Sequence, residues 1–259
     1  MIDYERLERE LVDLRATFGA ARPFPHLVVE DLFEPSGLKE VLARFPSMDE
    51  MGYTHKNARE HKTSLATLDR VDPLVRAAFD ELNGPRFVGW LGDVTQIPDL
   101  LVDPENLGGG LHQSGDGMYL DVHADFNRHI RTRWFRRLNV IVYLNEGWTA
   151  DMGGVLELWP PDMSAPAVSI VPAFNRCVIF ATTPSSFHGY DVIRSGDTTR
   201  RSLATYYYTE APPPEYAGRD HSTLFRRRPG QGRRWVPGGA IRTWRARIRR
   251  GIEIARHGR

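Results

Sequence analysis

The sequence predicts a mainly β protein with flanking helices, and two patterns carry this prediction. From about Gly108 to Thr209, short β-branched and aromatic runs are separated by clusters of Gly, Pro, Asn and Asp, which is typical of an all-β body. Ahead of it, apolar residues recur at three- and four-residue steps among charged ones, as in amphipathic helices. With 259 residues and 41% hydrophobic content, the chain is long enough to bury one sizeable core.

The helical part comes first along the chain. We predict helices over 4–18, from 35 to just before Pro46, and over 74–82, where Gly84 and Pro85 give a stop signal. A short strand over 26–29 separates the first two helices. These N-terminal helices are expected to support the β body.

The β body contains five well-marked strands, over 138–144, 155–159, 167–171, 176–182 and 202–209. We predict one domain over 1–225, with its β core at about 108–210, and a basic extension over 226–259. A terminal helix is possible over 240–254. The only cysteine, Cys177, lies in an apolar run, which predicts a buried thiol and no internal disulfide.

Charge is distributed unevenly, although the formal net charge is only +1. Arginines crowd the extension over 226–259, where Glu253 is the single acidic residue. Either this is a solvated surface or it docks onto an acidic partner. Nucleic-acid binding is not expected, because no aromatic stacking platform or known module accompanies the arginines. The chain opens without the apolar run of a signal peptide and has no membrane-length apolar stretch, so we expect a cytoplasmic protein.

A metal site is predicted by His123-Ala124-Asp125. Side chains two residues apart on an extended backbone point to the same face, so an imidazole and a carboxylate at this spacing can bind one ion. A nitrogen from His188 would complete a set of two histidines and one carboxylate, which leaves three positions open on an octahedral iron(II). By itself the His-x-Asp pair is a weak signal, and a structural role for either histidine is the alternative.

Two further strands carry polar groups beside apolar ones. In the run from Arg137 to Asn145, Asn139 and Tyr143 share one face, while the other face is apolar. A buried strand that is polar on one face indicates a lined cavity; a half-exposed strand is the alternative. The later strand begins with Arg200 and Arg201, and an arginine at a strand end can bind a carboxylate in a bidentate fork.

In this order, these residues resemble the prolyl-hydroxylase-like branch of the iron(II)/2-oxoglutarate oxygenases. The resemblance runs from about Pro23 to Arg228 and includes His123-x-Asp125, the run Tyr143-Leu144-Asn145, His188 and Arg200-x-Ser202-Leu203. It implies a double-stranded β-helix, or cupin-like jelly roll, with the N-terminal helices packed on the larger sheet. It also implies iron(II) and 2-oxoglutarate as cofactors, with O2 and an organic substrate as reaction partners.

The resemblance assigns roles residue by residue. His123, Asp125 and His188 are the implied catalytic iron ligands. Arg200, or Arg201 if the register shifts by one, binds 2-oxoglutarate with Tyr143, and Asn139 is a further candidate. Gln113 and Tyr206 are candidates for substrate contact. Asp125 also argues against the family's halogenases, which replace this carboxylate with a small residue.

Four functions remain open on the sequence. The preferred one is hydroxylation of an unactivated C–H bond in a small or carrier-presented molecule, with 2-oxoglutarate and O2 converted to succinate and CO2. The first alternative is hydroxylation of a prolyl residue in a protein. The others are a non-catalytic cupin-like protein and a nucleic-acid-binding protein that uses its basic end.

Overall fold

The computed structural model describes residues 1–232 and opens with a layer of helices. These are α1 (Tyr4–Arg9), α2 (Leu11–Ala20), α3 (Pro35–Ala43), α4 (Pro73–Leu82) and α5 (Pro85–Thr95). The helix expected over 4–18 is divided at Glu10. Pro85 follows the end of α4 as predicted, but it also opens the unpredicted helix α5, because the fixed φ of proline suits the first helical turn.

Thirteen strands join in one antiparallel sheet within the described residues. They are β1 (His26–Val29), β2 (Tyr53–Lys56), β3 (Glu60–Leu65), β4 (Leu101–Val102), β5 (Gly110–Ser114), β6 (Tyr119–Ala124), β7 (Phe135–Tyr143), β8 (Leu156–Trp159), β9 (Val168–Ile170), β10 (Cys177–Ala181), β11 (Phe187–Tyr190), β12 (Arg200–Thr209) and β13 (Leu224–Phe225). The five predicted strands are present. The hairpin β2–β3 and the strands β5, β6 and β11 were not predicted as such, because their polar residues hide the alternation of a half-buried strand.

The sheet follows the order β1-β10-β7-β12-β5-β3-β6-β11-β8-β9 and curls on itself. In this spatial order, the larger half consists of β1, β10, β7, β12, β5 and β3, and the smaller half consists of β6, β11, β8 and β9. The smaller half carries both predicted histidine ligands, since β6 and β11 are adjacent strands. The mainly β prediction is therefore confirmed.

The helices cover the outer face of the larger half. Leu7 of α1 and Phe79 of α4 belong to the same buried cluster as Val140 of β7 and Ile179 of β10. Burial of this apolar surface is the main force that holds the two layers together. The inner face of the sheet is left to line a cavity.

Three smaller predictions concern the cysteine, membrane spans and the C-terminal extension. Cys177 is buried and free. Among the described residues, no helix combines the length and apolar character that crossing a membrane requires. The helix expected over 240–254 and most of the basic extension over 226–259 lie outside the described residues.

Candidate active site

Three residues form a possible metal centre on β6, β11 and the residue just after β6. His123, Asp125 and His188 each offer one donor atom, and these atoms all lie within 4.8 Å of one another. His188 pairs directly with His123 across the two strands, and their ring centroids are 4.4 Å apart. Nε2 of His123 is 3.5 Å from Oδ1 of Asp125, and Nε2 of His188 is 3.6 Å from Oδ2.

The backbone fixes both imidazoles in the form that binds a metal. Nδ1 of His123 lies 2.9 Å from the carbonyl oxygen of Asp121, and Nδ1 of His188 lies 3.0 Å from that of Ser186. A carbonyl oxygen only accepts, so each Nδ1 must donate and each neutral ring presents the Nε2 lone pair to Asp125. Burial, followed by the neighbouring His123, lowers the pKa of His188 to about 3, so this ring stays neutral. The donor set therefore fits iron(II).

The carboxylate of Asp125 is held by two side chains of β7. Nη2 of Arg136 donates to Oδ2 at 3.0 Å, and Nδ2 of Asn139 donates to the same oxygen at 2.8 Å. Burial opposes ionisation of Asp125, but Arg136, His123 and His188 together outweigh it and hold the pKa of this carboxyl well below its usual range. The carboxylate is thus charged and oriented before any metal binds.

Arg136 was missed by the sequence analysis because of a β-bulge. Tyr207 pairs with Leu138, but the next residue, Tyr208, pairs with Arg136 and skips Arg137. Strict alternation places Arg137 on the face of Asn139; the bulge instead turns Arg136 inward. Arg136 is fully buried, whereas Arg137 is half-buried. No sequence pattern marks this bulge.

Asn139 contacts the metal ligand rather than the carboxylate-binding arginine. Besides its bond to Asp125, its Oδ1 accepts from Nη2 of Arg136 at 2.7 Å and from Oγ1 of Thr182 at 3.3 Å. All the side-chain hydrogen bonds found for Asn139 in the described part of the chain thus go to protein groups around Asp125. Its predicted contact with 2-oxoglutarate stays a prediction.

A candidate carboxylate site is built around Arg200. Its guanidinium carbon lies 4.7 Å from the ring centroid of Tyr143 and 4.4 Å from that of Tyr190. Nη2 donates to the Tyr143 hydroxyl at 3.0 Å, and Nε donates to the carbonyl of Gly154 at 2.8 Å. Burial raises the pKa of Tyr143, with Arg200 opposing it, so its hydroxyl stays protonated. Arg200 has no carboxylate partner among the ion pairs of the described residues, which suits an anionic ligand.

Tyr190 was also missed, although a signal was present. It stands two residues after His188 on β11, so both side chains face the same side of the strand. Its hydroxyl lies 2.9 Å from Oγ of Ser114. Tyr190 thereby links the metal-binding strand to the arginine site.

The structure does not bring Gln113 or Arg201 to the cavity. Gln113 pairs with Arg201, whereas its neighbour Ser114 pairs with Arg200 on the cavity face. With its amide oriented to satisfy its partners, Gln113 donates to the carbonyl of Pro46 at 3.0 Å and accepts from Nε of Arg201 at 3.2 Å. Alternation of side chains puts both residues on the opposite face, so Arg200 is the inward arginine. The substrate contact expected of Gln113 stays a prediction.

Tyr206 packs against Arg136, the residue that donates a hydrogen bond to Asp125. The guanidinium carbon of Arg136 lies 3.4 Å from its ring centroid, and its hydroxyl donates to the carbonyl of Gly108 at 2.8 Å. A cavity of about 380 Å³ adjoins Arg136 and Thr182, and its outer wall includes Pro213 and Tyr216. Arg136, which donates to Asp125, thus contacts both Tyr206 and this cavity.

Residues 109–208 match the 2OG-Fe(II) oxygenase superfamily, and this range contains the proposed iron ligands and Arg200. The match covers the β core, so this part of the chain is similar to that superfamily. Together with the His123–Asp125–His188 cluster, it supports iron(II) and 2-oxoglutarate as the cofactors, as the sequence predicts.

Relatives of the oxygenase place it near prolyl hydroxylases. It is 29% identical over 223 residues to prolyl 3,4-dihydroxylase OGFOD1 of Ostreococcus tauri, a match that covers 78% of this chain and 41% of that protein. The chain therefore spans less than half the length of this relative. The prolyl-hydroxylase-like resemblance seen in the sequence is confirmed.

Solved structures show the same fold at low sequence identity. A Trichoplax adhaerens prolyl hydroxylase, in complex with a hypoxia inducible factor peptide fragment, superposes with a TM-score of 0.58 and 16% identity, covering 80% of this chain and 93% of that one. HygX from Streptomyces hygroscopicus, with nickel, 2-oxoglutarate and hygromycin B bound, gives 0.51 and 14%, covering 83% and 96%. The oxygenase has the double-stranded β-helix of these enzymes.

Proposed function

We propose that this oxygenase hydroxylates a prolyl residue of a protein substrate, using iron(II) and 2-oxoglutarate. The observation that carries the proposal is the pairing of a buried His123–Asp125–His188 cluster with Arg200, on the inner face of one sheet. Similar proteins suggest the substrate: the Ostreococcus protein is a prolyl dihydroxylase, and the Trichoplax enzyme was solved with a peptide. This support favours the protein substrate over the small molecule that the sequence alone made us prefer.

The protein residues have separate tasks in this proposal. His123, Asp125 and His188 would hold the metal on one face, leaving the remaining positions for exchangeable ligands. Arg200 and Tyr143 would bind the distal carboxylate of 2-oxoglutarate. When bound, iron(II) and 2-oxoglutarate supply the O2-dependent oxidation of a C–H bond, with release of succinate and CO2. Because that chemistry belongs to the cofactors, the chain contributes orientation of the substrate and exclusion of water.

Aromatic side chains pack against both histidines of the metal centre. Phe180 lies 4.6 Å from the His188 ring, and Phe225 of β13 lies 5.5 Å from the His123 ring, measured between centroids. β13 pairs with the end of β6 at Ala124 and His123. The segment that leads to β13 is fixed by Asp220, which forms ion pairs with Arg128 and Arg133. These contacts give the metal centre a closed side and direct the substrate toward the cavity at Arg136.

The metal and cosubstrate assignments are tested by anaerobic titration with iron(II) and then 2-oxoglutarate. The wild type should develop the weak visible charge-transfer band of the chelate, and His123→Ala and Asp125→Ala should not. His26→Ala, on the edge strand β1, is the matched control and should keep the band. Survival of the band in both ligand variants would refute the metal site.

The substrate assignment needs a second measurement. After admission of O2, succinate formation is followed together with mass spectrometry of a library of proline-centred peptides. We expect hydroxylation of proline in a subset of these peptides, coupled to succinate. Succinate formation without modification of any peptide would leave the oxygenase intact and refute the prolyl substrate.

A further inference from the structure

Lys62 places a positive charge inside the protein, and no part of the proposed mechanism uses it. It lies in the middle of β3, and only 16% of its side chain is exposed. Lysine side chains are rarely buried to this extent without a partner or a task. Its position relative to the site follows from strand pairing.

Strand pairing across the larger half of the sheet shows which face Lys62 is on. Ser64 pairs with His112, His112 pairs with Ser202, and Ser202 pairs with Tyr143. Paired residues in antiparallel strands project to the same face, and residues two apart on one strand do likewise. Lys62 stands two residues before Ser64. It therefore shares the face of Tyr143, which is the cavity face.

Strand pairing with the smaller half also places Lys62 on the cavity face. Glu60, two residues before Lys62, pairs with Leu120, and Leu120 pairs with Tyr190 in the strand of His188. On β3, Lys62 lies between Glu60, which pairs with the smaller half, and Ser64, which pairs with the larger half. It also interacts electrostatically with Tyr190, Tyr206 and Asp125. The ammonium group therefore projects into the space in front of the metal centre.

Lys62 keeps its charge there but has a weak partner. Burial opposes the charged form, yet Glu60 and the nearby tyrosines outweigh it and raise the pKa of Lys62. Its ion pair with Glu60 spans 3.9 Å between Nζ and Oε2, beyond hydrogen-bond distance. Within the described part of the chain, no hydrogen bond of this ammonium to a protein acceptor is present. Its donors are therefore available to a ligand.

The other two cations of the cavity are committed. Arg136 is bound to Asp125, and Arg200 is assigned to 2-oxoglutarate. The charges of iron(II) and of the 2-oxoglutarate dianion cancel. The protein then contributes three positive charges to the cavity, from Lys62, Arg136 and Arg200. Asp125 and Glu60 supply two negative charges, so one positive charge is left without a counter-charge. A buried positive charge without a full partner is costly, and an anionic substrate group would relieve that cost.

We propose that Lys62 is a specificity residue that binds a carboxylate side chain of the substrate, next to the target proline. The inference rests on the proposed function. It commits the substrate class to proline flanked by Asp or Glu. Lys62 acts on substrate binding and not on the metal or on 2-oxoglutarate.

The test compares pairs of N-acetylated, C-amidated proline-centred peptides that differ only by Glu against Gln, or Asp against Asn, at each flanking position. The full chain, loaded with iron(II) and 2-oxoglutarate, is assayed by mass spectrometry as wild type, Lys62→Met and Lys56→Met. Lys56 is the matched control, because it is exposed, lies on the same hairpin and pairs with His61 on the opposite face.

For the wild type and Lys56→Met we expect acidic peptides to be favoured by about 10- to 100-fold in kcat/KM at one flanking position, the usual effect of a charge-assisted hydrogen bond. Lys62→Met should lose this preference mainly through KM. Its affinity for 2-oxoglutarate and its peptide-independent succinate formation should equal those of the wild type. Lys62→Glu should instead favour peptides with lysine at that position, a gain that misfolding cannot produce.

Three results would overturn the inference in distinguishable ways. Equal rates of the wild type on acidic and amide peptides would show that no carboxylate is recognised. If Lys62→Met lowers kcat/KM by the same factor on both peptides of a pair, Lys62 donates to a neutral acceptor of the substrate and not to a carboxylate. Failure of the wild type to hydroxylate any peptide, with the chelate band present, would refute the prolyl substrate itself, and the inference with it.

Discussion

Replacement of Arg136 by methionine is the most informative perturbation of the metal centre. The side chain is 1% exposed, and its Nη2 donates to Oδ2 of Asp125 at 3.0 Å. Methionine keeps the packing against the Tyr206 ring but removes the charge. Asp125 is then left buried with Asn139 as its remaining donor from β7.

The size of the effect follows from this geometry. Removal of one partner of a buried ion pair costs about 3–5 kcal/mol. Asp125 is 13% exposed and keeps the hydrogen bond from Asn139, so we expect a loss of about 2–4 kcal/mol in the unfolding free energy of the metal-free protein. For a chain of this size that corresponds to a fall in Tm of roughly 4–16 °C.

A bound divalent cation should restore much of this loss, because it neutralises Asp125 in place of the guanidinium. The assay is thermal unfolding by circular dichroism, with and without Mn(II), which is not oxidised as readily as iron(II). We expect Mn(II) to raise the Tm of Arg136→Met by several degrees more than it raises that of the wild type. A purely structural role of Arg136 predicts equal increments.

Arg137→Met is the matched control. Arg137 is the next residue, but the bulge turns it away, and its side-chain bond goes to Oγ1 of Thr209 at 3.2 Å. It should lose less than about 1 kcal/mol, the usual net value of one hydrogen bond. Equal stability of Arg136→Met and the wild type, or equal Mn(II) increments in both, would refute the reasoning.

Two further predictions concern the carboxylate site and the buried pair of Asp103 and His129. Arg200→Met should weaken 2-oxoglutarate binding to the Mn(II)-loaded protein by about 30-fold or more, because a buried charge partner is lost, and Arg201→Met should not; equal dissociation constants by calorimetry would contradict this. Asp103→Asn should lower the unfolding free energy at pH 7 by about 2–3 kcal/mol, because Asp103 accepts from the backbone N–H groups of Glu105 and Leu107 and pairs with buried His129. Burial raises the pKa of Asp103, but the adjacent His129 and the backbone donors outweigh it and lower it. The stabilisation is therefore present above pH 3.8 or so and lost as the pH falls further. Urea denaturation that shows no difference from wild type at pH 7 would refute it.

Local features of the sequence determined the type of fold and the metal-ligand candidates. The spacing of His123 and Asp125 requires only one extended segment, and the apolar runs of β7, β10 and β12 mark buried strands wherever they pair. The choice of Arg200 over Arg201 agrees with the structure, since alternation holds without interruption along β12 from Arg200 to Tyr207. Helix bounds were less accurate, because a break at Glu10 and a start at Pro85 depend on what the helices pack against.

Tertiary structure alone decided which cations reach the cavity. Alternation propagates along a strand only until a bulge, and the bulge beside Arg137 depends on the partner strand β12, which is about seventy residues away. Lys62 lies on a hairpin that the sequence does not predict, and its face is set by pairing with β5 and β6. Short-range spacing in the sequence therefore predicted a metal site, and the family resemblance added a candidate carboxylate anchor. The charges that surround the substrate depend on the register between distant strands, which no local pattern records.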